Sequence, residues 1–184
     1  SDAFPLDGTE TADTDGDGVG DVKDKIPNFD DNLITYTDDG NSITITDCAT
    51  SVSGDLAIPD TIEGKPVTSI ANRAFENCNL VESFHLGKNV AVIDLDSIGF
   101  FFKARDRFEP GRENEPYSSL ATITVSEENE HFSSQDNVLF HKDTTTLLLA
   151  AHKKSGDYVI PDGVTSIGKR AFSDCYELTS ITIP

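Results

Sequence analysis

The sequence predicts a β-rich solenoid of the α+β kind. Short strands alternate with short helical turns, a β-hairpin is inserted, and an irregular acidic loop segment comes first. Three observations carry this reading. The stretch Val67–Leu86 aligns without a gap on Val164–Ile183, and Val67, Ile70, Ala74, Phe75, Cys78, Val81, Phe84 and Leu86 fall on Val164, Ile167, Ala171, Phe172, Cys175, Leu178, Ile181 and Ile183. A unit of about 23 residues cannot bury its own apolar face, so it stacks on neighbours. Residues 1–32, by contrast, hold ten Asp/Glu against two Lys and few apolar residues, which sets them apart from the array.

The acidic segment is centred on Asp13, Asp15, Asp17, Asp21 and Asp24. Numbered from Asp13, these are positions 1, 3, 5, 9 and 12 of a twelve-residue loop, with Gly18 at position 6. A hard Ca²⁺ ion takes about six to eight oxygens, and this spacing supplies them. Alternate aspartates point inward, Gly18 permits the sharp turn, Val19 offers its carbonyl and Asp24 closes the site. Five carboxylates so close together repel one another without a cation. An EF-hand needs a helix after the loop, and Pro27 argues against one. The series D-x-D-x-D-G-x-x-D-x-x-D-x-x-P resembles the thrombospondin type 3 repeat. Asp2–Pro5 matches Asp24–Pro27 at a distance of 22 residues and reads as the end of a preceding repeat. Phe4 and Ile26 stand where that family commonly has cysteine, which puts a disulfide staple in doubt but not calcium. The resemblance implies that Ca²⁺ supplies the order a small core cannot. Asp7, Asp30 and Asp31 are candidates for a second site.

Residues 33–184 form the array. Leu33–Thr37 and Ser42–Thr46 flank a Gly-containing loop and predict a hairpin. With the strand around Leu56–Ile58 it makes a β cap over 33–58 that shields the open edge of the first repeat. Leu56–Pro59 has a later counterpart in Tyr158–Pro161. Val67–Ile70 is extended, Arg73–Cys78 suits one helical turn with Phe75 facing the core, and Ser83–Leu86 is the next strand. Val90–Ile93 opens the second repeat, and Ile98 falls on the Phe75 position. The period then breaks. About 16 residues are inserted within 99–116, holding Phe100, Phe101, Phe102 and Phe108 with Lys103, Arg105, Arg107 and Arg112. The plainer reading is a packed excursion whose phenylalanines cap the local core and whose arginines pair with acids. The functional reading is a partner-binding loop of Phe100, Phe101, Phe102, Arg105, Arg107, Phe108 and Arg112, since Phe and Arg anchor interfaces. The array recovers at Leu120–Val125, a polar loop spans Ser126–Phe132, and Asn137–Leu149 predicts a second hairpin. The last repeat runs from Tyr158.

The pattern I-x-x-x-A-F-x-x-C-x-x-L-x-x-I-x-I over Ile43–Pro184 resembles the BspA-like leucine-rich repeats. That resemblance implies a secreted or cell-surface location in bacteria, and protein or glycan partners on host, matrix or other cells. The hairpin over 137–149 is also similar to one that often separates repeats in that family.

Composition removes other classes. A formal net charge of −19 repels nucleic acid and anionic lipid. No apolar run reaches membrane-spanning length, so direct membrane insertion is not expected. The chain starts and stops inside repeats, and it reads as an excised piece of a longer protein, monomeric as a fragment. Cys78 and Cys175 hold the same repeat position, too far apart to bond, so free buried thiols are expected. No metalloprotease, nucleophile-elbow or phosphate-loop motif is present, and an enzyme is not expected. His85 alternates outward between Phe84 and Leu86. Thr68, Ser83, His85, Thr122, Thr124, Thr165, Ser180 and Thr182 are the polar positions expected to display a recognition surface. The sequence thus predicts a calcium-stiffened stalk presenting a non-catalytic adhesion module. The alternative is a substrate-attachment or spacer module of a larger secreted hydrolase.

Overall fold

The computed structural model describes residues 33–76, 78–94 and 118–184. The candidate calcium ligands Asp13, Asp15, Asp17, Val19, Asp21 and Asp24 lie outside these residues. So do Ile98 and the whole predicted loop, with Phe100, Phe101, Phe102, Arg105, Arg107, Phe108 and Arg112.

The chain opens with β1 (Ile34–Asp38) and β2 (Ile43–Cys48), an antiparallel hairpin over the stretch where one was expected. Asp39 closes the turn by accepting from the backbone N–H groups of Asn41 and Ser42, both at 2.8 Å. β3 (Ser53–Ile58) and the two-residue β4 (Thr61–Ile62) lead into β5 (Lys65–Ile70) and β6 (Leu80–Leu86). β5 lies parallel to β2, and β6 lies parallel to β3. β7 (Val92–Ile93) then adds parallel to β5, and β8 (Thr122–Val125) adds parallel to β6. Each coil therefore contributes one strand to each of two parallel stacks, as a solenoid requires. The inward rows are apolar: Leu56, Phe84 and Ile123 align across the second stack, and all three are buried.

The expected helical turns are absent: no helix occurs among the described residues. Tight turns replace them. In the first copy Glu76 N–H donates to Arg73 O at 2.9 Å and Cys78 N–H to Phe75 O at 3.3 Å. In the second, Ser173 N–H donates to Arg170 O at 2.8 Å and Cys175 N–H to Phe172 O at 3.4 Å. Arg73 and Arg170 have φ of 62° and 60°. That left-handed conformation breaks a right-handed helix at its start. The turn still buries Ala74 and Phe75 in the first copy, with Phe75 edge-on to Phe84 at 5.5 Å.

Beyond β8 the chain makes a meander of β9 (Phe132–Gln135), β10 (Val138–His141) and β11 (Thr146–Ala150). β9 falls where a polar loop was expected to end. Asp136 and Asn137, with φ of 51° and 58°, make the two-residue turn that joins β9 to β10. β12 (Gly156–Val159), β13 (Ser166–Ile167) and β14 (Leu178–Thr182) complete the chain. β13 pairs parallel to β11, and β14 pairs parallel to β12.

This pairing repeats that of the N-terminal half. Hairpin β1–β2 leads to β3, β5 and β6, and hairpin β10–β11 leads to β12, β13 and β14. The second hairpin is therefore a second copy of the cap rather than an unrelated insert. The two differ in surface. β1 and β2 alternate buried isoleucines with more exposed threonines. Val138, Leu139, Phe140, Leu147, Leu148 and Leu149 are all buried. Leu139, Leu148 and Leu149 join the N-terminal core, while Val138, Phe140 and Leu147 join the C-terminal one. Continuous apolar runs mark strands buried on both faces.

Two local devices staple the coils. Asn129 is buried on the turn after β8, and its amide donates to Gly87 O at 2.8 Å and Val90 O at 3.0 Å. Its carbonyl accepts from the N–H groups of His131 and Phe132 at 2.8 and 2.7 Å. At Gly87 a Cβ would sit 2.6 Å from Ile58 O, so this close approach of two coils admits glycine alone. The second device corrects the expectation of free thiols. Cys48 and Cys78 are joined as a disulfide, with Cα atoms 6.5 Å apart. Comparison with Cys175 missed the partner, because Cys48 lies on the cap, one coil before Cys78. In the second copy Ala150 and Ala151 underlie Cys175, whose Sγ lies 3.6 Å from Ala151 O. Cys175 remains a half-buried thiol, pushed up to about 11 by burial.

Candidate recognition surface

Period-two alternation turns every second side chain of β3, β6 and β8 away from the core. Parallel register aligns these side chains across the stack. Asp55, Ser83 and Thr122 form one row, and Ala57, His85 and Thr124 form the next. The inward neighbours Leu56, Phe84, Leu86 and Ile123 are buried and hold the sheet flat against the core. His85 Nδ1 and Thr124 Oγ1 hydrogen-bond across the strands at 2.9 Å. The imidazole is half-buried, and burial lowers its pKa while Asp60 partly opposes the shift. A neutral ring at neutral pH both donates and accepts, which suits recognition of polar groups.

The predicted polar set is divided between surfaces. Ser83, His85, Thr122 and Thr124 share the β3–β6–β8 face. Ser180 and Thr182 belong to the β12–β14 pair, opposite Asp157 and Val159. Thr68 sits on β5 in the other stack, and Thr165 is tied down by donating to Thr145 O at 3.3 Å. Two members of these rows were missed, Asp55 and Asp157. Thr179 and Ser180 hydroxyls donate to Asp157 Oδ1 at 2.6 and 2.7 Å, which holds its carboxyl below the usual range. The signal was present: a Gly-Asp pair stands just before Leu56 in one copy and just before Tyr158 in the other, as Gly54-Asp55 and Gly156-Asp157.

The two rows carry three hydroxyls, one imidazole and one carboxylate, with the Ala57 methyl between them. A His–Thr pair is the first part of a nucleophile–base arrangement, but catalysis also needs a third group to orient the base. Here Thr124 Oγ1 engages Nδ1, so Nε2 is the ring nitrogen such a group would have to engage. Among the described residues no three His, Cys, Asp or Glu side chains are grouped to hold a metal. No helix among them is long and apolar enough to cross a membrane.

The model of the BspA type leucine rich repeat region matches six copies over residues 31–100 and 151–184. The unmatched middle contains the meander and most of the predicted insertion. No curated protein sequence matches the chain. Among solved structures, a leucine-rich repeat protein from Eubacterium ventriosum is 16% identical with a TM-score of 0.51, covering 82% of this chain and 57% of that one. A leucine rich cell surface protein from Faecalibacterium prausnitzii is 18% identical with a TM-score of 0.45, over 83% and 41% of the two chains. The T. pallidum leucine rich repeat protein is 23% identical with a TM-score of 0.39, over 82% and 68%. The chain thus spans little more than half the length of the first of these. At such identities the E. ventriosum likeness speaks to the fold alone, and the fold it supports is the leucine-rich-repeat solenoid. With more than half of its residues matched by the family model, the chain belongs to the BspA type leucine-rich repeat family.

Proposed function

We propose that this chain is a non-catalytic recognition module of a bacterial cell-surface or secreted protein. It binds protein or glycan partners on the outer face of β3, β6 and β8. The observation that carries this is the pair of aligned rows, Asp55–Ser83–Thr122 and Ala57–His85–Thr124, on a sheet whose inner rows are fully apolar. The Cys48–Cys78 disulfide supports an oxidising compartment. The acidic segment holds Ca²⁺ through Asp13, Asp15, Asp17, Val19, Asp21 and Asp24 and stiffens the approach to the solenoid; its donor set of carboxylates and a carbonyl suits that hard cation.

The test is binding of the intact chain to a glycan array and to immobilised matrix proteins such as fibronectin and collagen. A double variant, Ser83→Arg with Thr122→Arg, places bulk and charge at the centre of the face without entering the core. The proposal expects a saturable signal that the double variant loses, and that Thr37→Arg, on the cap, retains. Equal binding by the double variant would move the site elsewhere. Silence across both panels would count against recognition by this module.

A further inference from the structure

The two copies of the repeat share a bulge and fill it differently. In the second copy the pairing of β12 with β14 shifts between Gly156 and Asp157, which leaves Thr179 as an extra residue on β14. Thr179 and Ser180 therefore both reach Asp157 and donate to its Oδ1. In the first copy the pairing of β3 with β6 shifts at the matching place, between Gly54 and Asp55, and the extra residue is Glu82. Ser83 keeps the place of Ser180, but a carboxylate replaces the Thr179 hydroxyl. An ionised glutamate donates nothing, so Asp55 has a second negative charge beside it where Asp157 has a donor. Asp55 and Glu82 are both exposed. Among the described residues neither side chain has a hydrogen-bond or ion-pair partner.

The basic residues nearby are already engaged. Residues 33–94 and 118–136 contain thirteen Asp/Glu against three Lys/Arg. Lys65 pairs with Asp38, Arg73 with Glu76 at 3.9 Å, and Lys88 with Asp60 and Glu128 at 3.7 and 3.2 Å. None of the three is left over for Asp55 and Glu82. Leu80 adds an apolar element. It lies two residues before Glu82 on β6 and is 42% exposed, whereas its counterpart Glu177 is paired with Lys153 at 3.4 Å. An exposed leucine beside two carboxylates suits a side chain with an apolar stem and a cationic head. A bare metal ion, which seeks oxygen ligands, gains nothing from it.

Taking the outer face of β3, β6 and β8 as the recognition surface, on which this rests, we propose that its partner is a protein with an extended basic segment. Asp55 and Glu82 seat the ammonium or guanidinium of a Lys or Arg, and Leu80 packs on the aliphatic stem. Ser83 and Thr122, next in the row, hydrogen-bond the backbone of the segment. Charge complementarity selects this occupant, since glycans are mostly neutral or anionic.

Titration of the intact chain with two synthetic peptides of equal length tests this, one alternating Lys with Thr and the other Glu with Thr. The expected result is saturable binding of the lysine peptide alone, weakened by added salt. Asp55→Asn with Glu82→Gln weakens it about tenfold. Glu63→Gln with Glu130→Gln, the same change of charge elsewhere, leaves it intact. Asp55→Lys with Glu82→Lys reverses the preference and takes up the glutamate peptide. No binding of the lysine peptide, or binding that the Asn/Gln pair retains, would overturn the proposal. A ligand from the glycan and matrix panels that Ser83→Arg with Thr122→Arg abolishes, but the Asn/Gln pair does not weaken, would also overturn it while keeping the face as the recognition surface. Absence of any ligand that depends on the face would remove both.

Discussion

Cys48 and Cys78 are 30 residues apart in sequence and tie the cap to the first full coil. Closing a loop of that length removes denatured-state entropy worth about 3–4 kcal/mol. Cys48→Ala is therefore expected to lower unfolding free energy by that order, and reductant should reproduce the loss in the wild type but not in the variant. Alkylation and mass spectrometry should find one free thiol before reduction, Cys175. His152 gives a pH signature. It is buried, and desolvation lowers its pKa from 6.5 to about 4, with Asp174 partly opposing. Because the folded pKa is depressed, the unfolded chain takes up the proton first as pH falls. The stabilisation from keeping His152 neutral is complete above pH 6.5 and is lost towards pH 4, a change of at most about 3 kcal/mol. His85, lowered by burial too, adds to the same window. Asp38, Asp39, Asp143 and Asp157, held below 3.8 by hydrogen bonds, act only at lower pH. Denaturant unfolding between pH 7 and 4 should show a slope that His152→Leu reduces. An unchanged slope would assign the acid sensitivity elsewhere.

At the scale of the element, the same repeat is worth different amounts in different places. Phe75 is buried against Phe84, whereas its counterpart Phe172 is only half-buried beside Tyr158. Phe75→Ala should cost about 3–5 kcal/mol and Phe172→Ala clearly less, read from denaturant midpoints. Asn129→Ala should cost about 2–4 kcal/mol, because two buried carbonyls and two N–H groups lose their partner together. Strand positions were legible because alternation and the 97-residue offset between copies fix which side chains face inward. The turns were not. Arg73 and Arg170 adopt a left-handed conformation that no local preference of arginine signals, so a helical turn was the natural expectation. The second cap was legible as a hairpin but not as a duplicate. Its threonine-rich outer face has become leucine and phenylalanine, since it is buried on both sides, and that erases the match to the first. The recognition face was half legible. Ser83, His85, Thr122 and Thr124 follow from alternation, but only strand register separates them from Thr68 and Thr165.

For the molecule as a whole, charge and cores define a polarity. Residues 1–136 hold the whole net charge of −19, while residues 137–184 hold five Lys/Arg and five Asp/Glu. Calorimetric titration of the chelator-stripped chain should show saturable Ca²⁺ binding, abolished by Asp15→Ala or Asp17→Ala. The strand signal should be unchanged in either variant, because the segment shares no predicted core with the solenoid. The central claim is that the outer face of β3, β6 and β8 meets the partner. Amide hydrogen exchange of the chain, alone and with the tightest ligand from the binding panels, measures this most directly. Slowed exchange should concentrate in residues 53–58, 80–86 and 122–125. Protection confined to residues 99–116 or 138–150, with those three strands unchanged, would contradict it.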